Sequence, residues 1–155
     1  MVMNEKHCRH MTRGLRNNNP LNIRLSAENK WVGKVLPNTD GKFEQFRSLR
    51  YGIRAAALLL GKYYYHYRLN TINGIVARWA PDNENHTDIY AGAVCNMTGL
   101  GGNQPLKPSQ LTDVLYAMAR VECGEEANIC WKPMQDIVPQ ELQHAKETYL
   151  NNQTG

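Results

Sequence analysis

The chain has 155 residues and a formal net charge of +4, a length that suits one domain built around a single hydrophobic core. The mild positive excess fits an anionic partner, a cell-wall polymer or a nucleic acid, without selecting either, and no apolar run is long enough to span a bilayer. The polar opening "MVMNEKHCRHMTRG" has no apolar segment of the kind a classical signal peptide carries, so export is expected to depend on a delivery apparatus.

Residues 1–13 read as a poorly ordered lead-in to a single domain spanning 1–155. Cys8, with His7 and His10, forms a metal-like grouping on that lead-in. Termini are seldom ordered enough to hold an ion, and no metal or cofactor is expected. Residues 14–48 are rich in turn signals. "LNIRL" (21–25), "WVGKVL" (31–36) and "KFEQF" (42–46) alternate as strands do, and "NTDG" (38–41) suits a hairpin turn. The expectation here is a small three-stranded antiparallel β-lobe. Beyond it the period becomes helical. Helices are expected over 51–67, 71–81, 85–97 with Asn85 as N-cap, about 108–123 ending at Gly124, and from about Pro139 onward. The fold class that results is α+β: a mainly helical body with a β-lobe in front and a cleft between them.

One residue breaks the helical pattern. At about 100° per residue, Leu111, Leu115 and Met118 align, and Glu122 falls in the same line. A carboxylate in apolar surroundings at a helix C-terminus is pushed toward its protonated form. That is the state in which it can protonate a glycosidic oxygen. The plainer alternative is a glutamate in a fraying last turn that points into water.

"VLYAMARVECGEE" (114–126) resembles the catalytic-helix signature of the lysozyme and lytic transglycosylase superfamily, in which an apolar helix ends in Glu-Ser-Gly or Glu-Asn-Gly. This chain has Glu122-Cys123-Gly124 there. "RGLRNNNPLNIR" (13–24), "WVG" (31–33), "FEQFRSLRYGIRAAALLL" (43–60), "TINGIVARWAP" (71–81) and "ENHTDIYAGAV" (84–94) follow in an order similar to a family of phage and prophage proteins. That family is marked by an Arg-Asn-Asn-Asn-Pro-Gly-Asn-Ile-Arg motif, and its members are often labelled virion structural proteins; Leu21 stands where it has glycine. The same blocks resemble the part of autolysin glucosaminidases that follows their glutamate. With the glutamate helix last instead of first, the resemblance implies a circularly permuted lysozyme-like domain.

The resemblance implies a peptidoglycan glycosidase, either a muramidase or a lytic transglycosylase, with Glu122 as general acid. It would act in phage lysis, in wall penetration or as an interbacterial toxin countered by an immunity or inhibitor protein. It further implies that Asn17, Asn18 and Asn19 line the cleft opposite Glu122. Arg24, Thr87 and Tyr90 are expected to contact substrate. The asparagines can equally be turn-makers, and Tyr90 can equally be core. Asp40, Glu44 and Glu84 are the candidates for a second carboxylate, although Asp40-Gly41 reads better as a plain turn. Trp31 and Trp79 are candidates for stacking on sugar rings, although Trp79 falls on the apolar face of its helix and reads better as core. Under oxidising conditions Cys123 and Cys130 could bridge beside Glu122. The alternative function is a non-catalytic virion or wall-binding module. No basic-aromatic stripe points to nucleic acid.

Overall fold

The computed structural model describes residues 11–154 apart from Asp82, without the side chains of Glu84, Asn85 and 152–154. The Cys8 grouping and most of the lead-in lie outside the described residues. The element order is α1 (Arg13–Arg16), α2 (Leu49–Gly61), a π-helical turn (Lys62–His66), α3 (Ile72–Trp79), α4 (Glu84–Thr98), a 3₁₀ turn (Pro108–Gln110), α5 (Leu111–Cys123), a second 3₁₀ segment (Gly124–Cys130) and α6 (Trp131–Thr154).

The β-lobe is not formed, and the α+β, permuted lysozyme-like expectation is corrected to a mainly helical fold. Among the described residues there is no strand. Residues 17–48 run as an irregular, looped segment tied by two isolated antiparallel bridges, Arg24 with Phe43 and Lys34 with Phe46. The alternation in the sequence was misleading for a physical reason. A ladder needs consecutive backbone pairing, and here left-handed residues at Asn18, Asn22 and Gly33 turn the chain aside. Side chains then take over the backbone partners. Asn19 is fully buried; its Nδ2 donates to the Ile23 and Glu44 carbonyls and its Oδ1 accepts from the Ile23 N–H.

The helices bury continuous apolar faces. α5 lies centrally, against α1, α2, α4 and α6, with Leu111, Val114, Leu115, Met118 and Ala119 buried. α2 packs closely on α6: a Cβ added at Gly61 would lie 2.5 Å from the Ala145 Cβ. At its other end a Cβ on Gly52 would lie 1.8 Å from the Asn18 carbonyl oxygen, so the looped segment rests directly on the α2 backbone. In the π turn that follows α2, the Tyr67 N–H reaches back to the Lys62 carbonyl. The three tyrosines there diverge. Tyr63 meets Trp79 edge-on, Tyr64 donates to the Leu106 carbonyl, and Tyr65 is buried.

Two helix starts differ from expectation. The N-cap of α4 is Asn83, not Asn85: its extended backbone lets the side chain accept from the His86 N–H at 2.9 Å. The last helix starts at Trp131, with Pro139 in its interior. Met134, Ile137, Val138, Leu142 and Ala145 are buried at helical spacing, and this apolar stripe outweighs the lost hydrogen bond and crowding at the proline.

Candidate active site

Glu122 occupies the last turn of α5, which Gly124 ends with φ +69°. The residues in line below it, Leu111, Leu115 and Met118, are fully buried. Glu122 is where that line leaves the core and meets an open cleft of about 530 Å³. Both carboxyl oxygens have partners from other elements. Asn22 Nδ2 donates to Oε1 at 3.1 Å, and the Tyr90 hydroxyl, from α4, lies 3.1 Å from Oε2. The same hydroxyl lies 3.4 Å from the Met118 carbonyl. Burial, reinforced by the neighbouring Glu122 charge, holds the Tyr90 phenol well above its usual pKa, so it remains a neutral donor. The left-handed backbone of Asn22, φ +50°, aims its amide at the acid.

Around this centre the cleft wall is cationic and aromatic. Arg24, Lys42, Arg78 and His86 line it, and among the described lining residues Glu122 is the one carboxylate. The Trp79 indole N–H donates to the Leu21 carbonyl at 3.2 Å, which ties the wall to the looped segment. Arg78 lies over the Tyr67 ring at 3.7 Å and the Tyr63 ring at 5.4 Å.

No known family model matches the chain. A stretch of 114 residues, 72% of this chain, is 44% identical to Protein P5 of Pseudoalteromonas phage PM2 and covers 71% of that protein. The chain belongs to the Protein P5 family of phage proteins.

In this Protein P5 relative the expected site residues divide into two groups. Glu122, Tyr90 and Arg24 share the cleft, and Trp79 joins them. Asn17, Asn18 and Asn19 do not line it. Asn17 donates to Asp40 and accepts from Gln45, Asn18 donates to the Phe46 carbonyl, and Asn19 ties the loop as described. Thr87 is also a structural group here: its hydroxyl lies 2.8 Å from the Ala80 carbonyl and 2.9 Å from the Asn83 carbonyl.

The second-carboxylate candidates do not meet Glu122. Asp40 accepts from Arg13 through both oxygens at 2.8 Å, and also from Asn17 and the Lys42 and Phe43 N–H groups. These donors, with Arg13 foremost, hold its carboxyl far below the usual range. Glu44 is fully buried against Lys34 at 3.1 Å. Glu84 opens α4, and its side chain lies outside the described residues. The Cys123–Cys130 bridge is not formed. Both are buried thiols, Cys123 donates to the Pro20 carbonyl, and burial pushes Cys130 up to about 12.

Asn22 is the site residue that strand patterning concealed. Its signal lay in the motif, where it is the asparagine of "LNIR". Leu21, in place of the motif's glycine, puts a fully buried side chain beneath this turn.

Proposed function

We propose that the protein is a phage or prophage enzyme that cleaves the glycan backbone of peptidoglycan, with Glu122 as general acid. It would act in the periplasm, at the wall, after delivery by a phage particle or another apparatus. The observation that carries this reading is the cleft-facing Glu122 carboxyl, held by Tyr90 and Asn22 among cationic and aromatic neighbours and the one carboxylate of the described lining residues. The short resemblance of the α5 end to glycosidase acid helices supports it.

A single carboxylate among the described lining residues favours the transglycosylase route over hydrolysis by a carboxylate pair. Protonated Glu122 gives its proton to the glycosidic oxygen as the C1–O bond breaks, and the leaving sugar departs with a hydroxyl. The carboxylate then takes the proton from a hydroxyl of the remaining sugar. That oxygen closes on C1 as an anhydro ring, which restores the acid. Tyr90 suits both halves of the cycle: its hydrogen can point to the charged Oε2, or to the Met118 carbonyl when Oε2 carries the proton. Arg24, Lys42 and Arg78 suit carboxylates of the substrate's lactyl and peptide groups.

The test is digestion of purified peptidoglycan with mass spectrometry of the fragments. The parent should release anhydro-ended products. Glu122→Gln should lose at least ~10²-fold of that activity, the usual contribution of a positioned acid, while its melting temperature is retained. Asp113→Asn, which is exposed on the opposite side of α5, should match the parent. Equal digestion by Glu122→Gln would sink the assignment. Tight wall binding by an inactive parent would instead support the virion or wall-binding module.

A further inference from the structure

The cleft does not end at its cationic wall. Leu59 and Asn29 line it and also line a second hollow of about 360 Å³ on their other side. That hollow is bounded by Trp31 from the looped segment, Lys62 from the π turn, and His144 and Tyr149 from α6. Tyr149 is steadied by His66, ring centroids 5.2 Å apart and 31° between planes. The Trp31 indole nitrogen is buried with no hydrogen-bond partner, so a ring at this place is held without a polar anchor of its own. Lys62, on the wall of the second hollow, lies 5.6 Å from the Tyr67 ring that also receives Arg78 of the first.

We propose that this hollow is a second binding site of the same groove and takes the continuation of an anionic glycan strand. The inference rests on the peptidoglycan reading and extends it from the cleaved bond to strand length. Aromatic faces suit the C–H faces of pyranose rings, because they bury apolar area while leaving the sugar hydroxyls wet. Lys62 and His144 stand where carboxylates on lactyl or peptide substituents would pass, and an ammonium there pairs with them. Leu59 and Asn29, shared by both hollows, make a saddle over which a flexible polymer crosses without leaving the surface. Among the described residues, none of α6 lines the Glu122 cleft, whereas His144 and Tyr149 line the second hollow, so α6 sets how long a strand is gripped and leaves the chemistry alone.

The experiment uses the full chain carrying Glu122→Gln, so that ligand is bound and not cut. Calorimetric titrations compare a peptidoglycan disaccharide–peptide with long soluble glycan strands. Long strands should bind more tightly than the short fragment. Adding Trp31→Ala or Tyr149→Ala should weaken the strands about tenfold, the scale of one lost aromatic contact, and leave the short fragment unchanged; Trp31→Phe should restore most of the loss. Trp31 also packs on the core, so Tyr149→Ala, near the end of α6, carries the test if Trp31→Ala fails to fold. Equal strand affinity in the Tyr149→Ala variant, or no strand binding at all, overturns the proposal. If Glu122→Gln cleaves walls normally while Tyr149→Ala still loses strand affinity, the acid assignment falls and the groove stands. If Glu122→Gln is inactive and Tyr149→Ala binds strands normally, the reverse holds.

Discussion

The looped segment 17–48 and the helical body reach order by opposite means. The body is held by volume: Leu115, Met118, Ile53 and Leu60 are fully buried apolar side chains on helices whose backbones satisfy themselves. The looped segment is held by a few backbone bonds around its two bridges and by polar side chains that take further backbone groups. Asn19 serves the Ile23 and Glu44 backbones, Asn18 the Phe46 carbonyl, and Lys34 the carbonyls of Ser26 and Asn29 together with Glu44. Glu122 sits where the two meet, with its own helix from the body and its Asn22 partner from the loop. The difference teaches that a buried polar residue here is a backbone substitute, whereas the one that faces the cleft is available for chemistry.

The sharpest way to break this comparison is to remove one polar tie. Lys34→Met leaves Glu44 buried without its cation and should cost about 3–5 kcal/mol in urea unfolding. Adding Glu44→Leu should recover a large part of that. Asn19→Leu keeps the branched shape with a bulkier side chain and discards three hydrogen bonds. It should cost about 2–3 kcal/mol, whereas the volume-conserving Met118→Leu in the body should cost under about 1.5 kcal/mol. Equal tolerance at the two positions would mean that Asn19 acts only as filling.

The mildest test is pH. Asp40 has its folded pKa depressed by Arg13, Asn17 and two backbone N–H groups. Its contribution is therefore present above the unfolded value near 3.8 and is lost as pH falls below it. Melting curves should show the parent more stable than Asp40→Asn at neutral pH. The gap should close as the medium is acidified from about pH 5 toward 2. Since Arg13 is exposed on one side, salt should narrow the gap as well.

The same contrast explains what is legible in the sequence. Stripes such as Ile72, Ile75 and Val76, or Leu111, Leu115 and Met118, can be read because each helix faces one core at a fixed period. Glu122 stands out against such a stripe, and Tyr90 follows from its place in the resembling block. Residues 21–46 mislead because their alternation is real while their backbone pairing stops at two single bridges, and the side chains of Asn19 and Glu44 take further backbone groups in a pairing that no period announces. Pro139 misleads because a proline can be carried by a strong enough buried face. Asn22 escapes notice because its left-handed turn, and not a hydrophobic pattern, brings it to the acid.

The π turn at Lys62–His66 also bears on how the lining of the cleft could change. A widened turn holds one residue more than an α-helical turn would. Deleting one residue there would restore regular winding and redirect the side chains of the turn itself. Ahead of the turn, α2 would keep Ala55, Ala56 and Ala57 on the core, and Glu122, Tyr90 and Asn22 would be untouched. The rings of Tyr67 and its neighbours would be dealt to new directions, and with them the cationic wall they support. The groove's lining can thus be altered by a single insertion or deletion, a mutational step separate from substitution, without disturbing the Glu122 carboxyl.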